Sequence, residues 1–407
     1  MNIEISRRMQ SVKASAIREI LKATSNPDII SFAGGNPAAD AFPLDAIRDI
    51  SNDLLTRDPI GCLQYGITEG DAGFLKAANA FFNREDNVTK DGDMVISVTG
   101  SQQIMDLLSK VLCNEGDVVA CEEPAFLGAL NSFKENGAVL RGVPFTKDNT
   151  LDLEALETAF SVEPKPKFFY TIPNFQNPMG TTMDLATRKK VLALAKKYNV
   201  MILEDDPYGA IRFAGESVPS IKSLDDEGYV VYAASLSKIM APGMRLAIAV
   251  GPQNVVSKMV VAKQGADVHT NLWAQKVVAK MLEEYDMDAH LERIRGIYAR
   301  KCALMLEQMD KEFDSRVTYT RPEGGMFIWV TLPHGADVAK FVSDALVRNV
   351  AVVPGAAFLT DDSKPCDSFR MNFSTPSDEK IIEGVKILGE LTKTLQEDMY
   401  GSQNMDI

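Results

Sequence analysis

Residues 167–208 read KFFYTIPNFQNPMGTTMDLATRKKVLALAKKYNVMILEDDPY, and the fold is decided in this stretch. Lys167–Ile172 is an apolar, aromatic run of strand length that stops at Pro173. Arg188–Tyr198 places Val191, Leu192 and Leu194 among lysines and reads as a helix. Val200–Leu203 is a second apolar run, and it ends in Glu204-Asp205-Asp206-Pro207-Tyr208. Strands that alternate with helices imply a mostly parallel sheet covered on both faces.

The alternation extends both ways. Met94–Thr99 and Val118–Cys121 read as strands, and between them Ile104, Leu107, Leu108, Val111 and Leu112 recur at helical spacing. Tyr229–Ala234 and Leu246–Val250 continue the pattern. A long helical pattern then runs from Asp286 to Phe313, followed by strand-like Gly325–Leu332, Val350–Val353 and Phe369–Phe373. The expected class is therefore α/β. A large domain with a mostly parallel sheet flanked by helices, residues 46–285, carries a smaller α+β domain, residues 286–407. The arm 1–45 is expected to pack against the smaller domain.

Composition narrows the function. The chain has 407 residues and a formal net charge of −13, which argues against nucleic acid or an anionic membrane as the main partner. Cys62, Cys113, Cys121, Cys302 and Cys366 are scattered with no CxxC pair, so neither a disulfide framework nor a metal site is expected. The N-terminal residues are charged throughout with no apolar h-region, and no run approaches the ~20 apolar residues of a membrane span. A cytoplasmic protein is expected.

Four polar clusters each follow a strand: Gly100-Ser101-Gln102, Pro173–Asn177, Asp205–Tyr208 and Ser235–Lys238. Ligands of such sheets sit beyond the carboxyl ends of the strands, so the clusters describe one pocket. In the last of them, Ser235-Leu-Ser237-Lys238-Ile-Met-Ala-Pro242-Gly243-Met-Arg245 sets two hydroxyls and a guanidinium within seven residues of one lysine. A lysine can bond covalently to an aldehyde when burial or nearby cations hold it neutral. Hydroxyls and a guanidinium fork suit a phosphate dianion. An aldehyde that also carries a phosphate needs this set, and pyridoxal 5'-phosphate (PLP) is such a cofactor.

The remaining clusters fit the same reading. Ser101 and Gln102 at a helix start would add backbone N–H groups for the phosphate, although an N-cap alone explains a serine there. Asp205, in Asp-x-x-Tyr, would keep a pyridine nitrogen protonated, with Tyr208 on the ring's phenolic oxygen. An acidic loop closing a strand is the ordinary alternative. Of the flanking acids Glu204 and Asp206, one is expected as a strand neighbour and the other as a solvated charge. Asn177 would donate to the same phenolic oxygen, yet Asn-Pro is also a common turn. Phe126 would stack on the ring or simply pack in the core. Arg370 alternates with apolar residues in Phe369–Phe373 and is the candidate for a substrate α-carboxylate.

These residues resemble a known family. Ser31-Phe-Ala-Gly34-Gly35-Asn-Pro37, Leu63-Gln64-Tyr65-Gly66, Gly100–Gln103, Asp117–Phe126, Pro173–Pro178, Glu204–Tyr208, the Lys238 segment, Gly324–Phe327, Val352–Gly355 and Arg370 together are similar to fold-type I PLP-dependent aminotransferases of class I/II. Within that class the likeness is to the 2-aminoadipate/kynurenine type, along almost the whole chain. The resemblance implies that Lys238 carries the cofactor and that Ser101, Gln102, Ser235, Ser237 and Arg245 grip its phosphate. It implies that Arg370, Asn177 and the backbone near Gly35 hold the substrate carboxylate. It also implies a homodimer in which Tyr65 reaches the partner's phosphate. Ala14–Leu21 resembles an N-terminal helix that meets the substrate side chain, where Arg18 would pair with a distal carboxylate. Phe126, Met179 and Ile67 depart from the usual tyrosine, threonine and proline, which leaves substrate preference open.

The expected reaction is ping-pong transfer of an amino group from an L-amino acid to a 2-oxo acid such as 2-oxoglutarate. Two other readings stay open. One is a different PLP reaction on the same fold, β-elimination or decarboxylation. The other is a non-catalytic effector-binding module of a regulator.

Overall fold

The structure is a computed structural model that describes residues 3–6, 9 and 26–395. In chain order its strands are β1 (Ile30–Ser31), β2 (Asp93–Val98), β3 (Val118–Glu123), β4 (Val139–Pro144), β5 (Phe168–Thr171), β6 (Met201–Asp206), β7 (Val230–Ser235), β8 (Ala247–Pro252), β9 (Thr318–Tyr319), β10 (Phe327–Thr331), β11 (Val350–Ala351), β12 (Val353–Pro354) and β13 (Ser368–Asn372).

Seven of them form the central sheet, ordered β2-β8-β7-β6-β5-β3-β4. Strand β8 is antiparallel to both neighbours, and the other pairs are parallel. The cause is local. Parallel neighbours need a crossover of a dozen or more residues, and the segment from Leu236 to Leu246 supplies no α-helix, so β8 returns beside β7. Because β2 and β7 both oppose β8, β2 runs parallel to the rest. The carboxyl ends of β2, β5, β6 and β7 therefore share one edge, as the sequence clusters predict.

Alternation along the strands sorts side chains between two cores. Phe168 and Tyr170 pack on one face with Leu203, while Phe169 packs on the other with Ile202, Val191 and Phe160. Helix Ser101–Leu112 buries Ile104, Leu107 and Leu108 on the first face, and helix Leu185–Tyr198 buries Val191 and Leu192 on the second. Each fully buried side chain of this size is worth about 1.5–3 kcal/mol in apolar area.

A second sheet, β12-β13-β10-β9, is antiparallel, and β1 pairs in parallel with β11. The single strand expected over Val350–Val353 is in fact two. The chain breaks at Val352, so that Val350 pairs with Ile30 in one sheet and Val353 with Arg370 in another. Helix Met287–Glu312 spans 26 residues and packs against the C-terminal helix Asp378–Thr392. Among the described residues no helix is long and apolar enough to cross a membrane, and no group of His, Cys, Asp and Glu could hold a metal ion.

Candidate active site

A cavity of about 260 Å³ opens at the shared strand edge. Lys238, Asp205, Tyr208, Asn177 and Phe126 line it. So do Ser101, Gln102, Ser235, Ser237, Arg245, Gly35 and Arg370. Twelve of the fourteen residues singled out from the sequence thus converge. Tyr65 does not: it is 80% exposed and meets the His269 ring edge-on at 5.7 Å. Arg18 lies outside the described residues. A separate cavity of about 240 Å³ lies beyond Pro207 and Ser235, but neither Lys238 nor Arg370 reaches it.

The lysine comes first. Lys238 follows the end of β7, and its Nζ donates to the Gly35 carbonyl at 2.7 Å. Burial, with the nearby charges of Arg370 and Arg245, lowers its pKa to about 8. A usable fraction of the amine is therefore neutral near pH 7.

Asp205 sits on β6 two residues beyond Leu203, which pairs with Tyr170 of β5. The pleat puts Tyr170 and Asp205 on one face, and the Tyr170 hydroxyl donates to Asp205 Oδ2 at 2.9 Å. Burial raises the Asp205 carboxyl to about 7, against the lowering effect of that hydrogen bond. Its other oxygen, Oδ1, is buried with no partner among the described residues. An orphaned acceptor of this kind costs about 1–3 kcal/mol, and a ring N–H would satisfy it.

Of the two neighbouring acids, Glu204 is the expected strand neighbour and Asp206 departs from expectation. Glu204 points to the opposite face, is fully buried, and accepts from the Ile221 and Lys222 amides at 2.9 and 2.7 Å. Asp206 is not a solvated charge. It accepts from the Tyr232 hydroxyl (2.8 Å), the Gly209 amide (2.8 Å) and Asn174 Nδ2 (3.2 Å).

The anion cradle is built from backbone as much as side chains. Ser101 and Gln102 begin an α-helix, where the first N–H groups have no intrahelical acceptor. Gly100 precedes them at φ 76° and ψ 162°, a region open essentially to glycine alone. A Cβ there would overlap the Arg245 guanidinium, which lies against the Thr99 carbonyl at 3.3 Å. Gln102 differs from a simple side-chain ligand: its Nε2 is committed to the Gly128 carbonyl (2.7 Å) and Ser132 Oγ (2.6 Å). What it offers an anion is its backbone amide. Gly128 also leaves room for the Phe126 ring.

Arg370 closes the far wall. Although 97% of its surface is covered, it has no carboxylate partner among the described residues. Its Nη1 donates to Asn177 Oδ1 and its Nη2 to the Ala33 carbonyl, both at 2.8 Å. The guanidinium lies 4.1 Å from the Phe327 ring and 4.9 Å from Phe358. Burial lowers its pKa to about 10, and its buried Nε has no partner among the described residues. Tyr208 shares a hydrogen bond with Asn177, and burial raises its phenol. A buried cation with an idle donor suits an incoming carboxylate.

Sequence reasoning missed Tyr170, along with Ile172, Pro207, Pro242 and Phe327 in the cavity wall. Strand alternation around Tyr170 was available, but the β5–β6 register that brings it to Asp205 was not.

These groups fit PLP: an amine that can be neutral, an acid with a spare acceptor, and an anion cradle at a helix start define a PLP-binding site on an α/β sheet. Residues 27–388 match the family of class I and II aminotransferases, and the chain belongs to it. It is 37% identical over 398 residues to aromatic-amino-acid aminotransferase 1 of Thermococcus litoralis, across 97% of this chain and 94% of that protein. Identity is 39% over 387 residues to the 2-aminoadipate transaminase of Thermus thermophilus, across 94% and 95%. The crystal structure of Pyrococcus horikoshii kynurenine aminotransferase, in complex with PMP and with KYN and KYA, gives a TM-score of 0.91 at 37% identity over 96% of each chain. The protein is a PLP-dependent transaminase of fold type I.

Proposed function

We propose that the enzyme takes the amino group of an L-amino acid with an aromatic or other apolar side chain and passes it to a 2-oxo acid, 2-oxoglutarate among them. The observation that carries this reading is a pair of buried atoms with no partner among the described residues, Asp205 Oδ1 and Arg370 Nε, on residues that line one cavity with Lys238.

When bound, the cofactor supplies an aldehyde and an electron-withdrawing ring. The chain does the rest. Lys238 would be the amine that takes the aldehyde, and its Nζ, held near neutral by burial, would be the base that moves a proton at the substrate Cα. Positioned transfer of this kind contributes about 10²–10⁴-fold. Asp205 would accept the ring N–H, Tyr208 and Asn177 would hold the phenolic oxygen, and Phe126 would cover the ring. Ser101, Ser235, Ser237, Arg245 and the Gln102 amide would hold the phosphate. Arg370 anchors the α-carboxylate with Asn177 and the backbone near Gly35. Retention of that carboxylate favours transamination over decarboxylation.

Among the described residues three cationic side chains line the cavity, Lys238, Arg245 and Arg370, and each has a role above. Ile172 and Phe327 add apolar surface to the cavity wall, which suits apolar donors. A second reading, 2-aminoadipate as donor, is favoured by the Thermus relative's name and would rest on Arg18. A panel of amino acids, scored for conversion of the bound cofactor in single half-reactions, tests both. Aromatic donors reacting faster than glutamate or 2-aminoadipate support the first reading; preference for acidic donors that vanishes in Arg18→Ala supports the second.

The working form is proposed to be a homodimer. Ile60, Leu63, Tyr65 and Ile67 are 72%, 72%, 80% and 63% exposed on one short stretch. A second subunit would cover them and bring Tyr65 to the partner's phosphate cradle. Residues 46–285 are proposed as the cofactor domain and 286–407 as the smaller domain, with the arm 1–45 as part of the latter. The five cysteines are free, which fits a reducing compartment and a cytoplasmic enzyme.

A further inference from the structure

The long helix Met287–Glu312 meets the catalytic turn at His290. His290, 2% exposed, places Nε2 2.7 Å from the carbonyl oxygen of Ile239, the residue after Lys238. Its Nδ1 lies 3.2 Å from Arg293 Nη2. A guanidinium has only donors, so Nδ1 accepts and the ring proton resides on Nε2. His290 therefore donates to Ile239, as a neutral imidazole whose tautomer Arg293 sets.

Arg293 reaches further. Its guanidinium also donates to the Asp40 and Ala41 carbonyls. One turn on, the buried Tyr298 hydroxyl accepts from the Ala38 amide at 3.2 Å. The same helix thus grips two segments, the turn that carries Lys238 and the 38–41 segment. The second follows closely on Gly35, whose carbonyl receives the Lys238 ammonium. The loop of contacts is closed: Lys238 to Gly35 through the side chain, and both backbones to one helix.

We propose that His290 and Arg293 form a positioning couple that holds the Lys238 turn at a fixed distance from the Gly35 segment. Neither touches the cavity. With the couple cut, the Ile239 carbonyl loses its buried donor, the turn loosens, and the Lys238 amine leaves the dry setting that keeps it near neutral. The inference rests on Lys238 being the reacting amine, which Lys238→Ala decides separately.

The test uses four proteins: wild type, His290→Leu, His290→Gln and Arg293→Met. Gln can donate to Ile239 and accept from Arg293; Leu can do neither. Arg293 is exposed, so its loss leaves the core intact even where His290→Leu fails to fold. Two quantities are read: kcat and KM for the donor, and the pH dependence of Lys238 acylation in cofactor-free protein, followed by peptide mass spectrometry. His290→Leu should lower kcat about ten-fold with KM little changed, the order expected for one buried hydrogen bond. It should also move the labelling midpoint of Lys238 upward. Arg293→Met should shift both the same way by less, and His290→Gln should retain both. The proposal is overturned if folded His290→Leu or Arg293→Met labels Lys238 with the wild-type profile, or if Gln behaves as Leu does.

Discussion

Tyr170→Phe isolates one hydrogen bond at the heart of the cofactor site. Tyr170 is fully buried and packs edge-on against Phe133 at 5.5 Å, so phenylalanine keeps the packing and leaves no cavity. What disappears is the donor to Asp205 Oδ2. A hydrogen bond to a charged group is worth about 1.5–3 kcal/mol. The lower figure is about one pH unit, since one unit is about 1.36 kcal/mol. The Asp205 carboxyl of the cofactor-free protein, now near 7, would rise to about 8. Cofactor binding needs the ionised carboxylate, so the variant loses affinity where Asp205 is protonated and little where both proteins are ionised. With midpoints near 7 and 8, the dissociation constant should worsen about nine-fold at pH 6, about five-fold at pH 7 and hardly at pH 9. Titration of cofactor-free protein with PLP, followed by tryptophan fluorescence at each pH, measures this. An unchanged affinity at pH 6, or a deficit that stays constant to pH 9, would refute the reasoning.

Other outcomes follow from the same geometry. Asp205→Asn should stabilise the cofactor-free protein while abolishing turnover. The carboxyl, raised from 3.8 to about 7, is protonated in the fold where the unfolded chain ionises, so stability falls as pH climbs through that window. At about 1.36 kcal/mol per unit the gain in the variant is at most about 4 kcal/mol at pH 8 and vanishes near pH 4, read as melting temperature against pH. Arg370→Lys should cut kcat/KM for amino donors about 10- to 100-fold, because the planar fork between Asn177 and the substrate carboxylate is lost. Its cofactor affinity should not change. Gly100→Ala forces a side chain into a glycine-only backbone region and against Arg245, so it should cost about 1–3 kcal/mol of stability and weaken PLP binding in fluorescence titration.

Much of this site was legible before any coordinates, for a physical reason. Parallel strands buried on both faces read as unbroken apolar runs, and their ends are marked by abrupt polarity, as at Leu203 to Asp205 or Ala234 to Lys238. Such punctuation located the four clusters and hence Lys238, Asp205 and Asn177. Strand β4 escaped notice because Val139-Leu-Arg-Gly-Val-Pro144 lies at the sheet edge and carries a charge and a glycine. The pairings were also hidden. Nothing local says that Tyr170 stands diagonal to Asp205, that Gln102 spends its amide on Gly128 and Ser132, or that His290 meets Ile239 across 51 residues. Each depends on register or on helix docking, which side-chain periodicity does not encode. The break at Val352 belongs to the same class, being a change of partner between two sheets.

The account stands on the identity of one amine. Borohydride reduction of the PLP-loaded enzyme, followed by proteolysis and mass mapping, should place a single phosphopyridoxyl group on the peptide containing Lys238. A label on any other lysine, or none in a preparation that still transaminates, would contradict it.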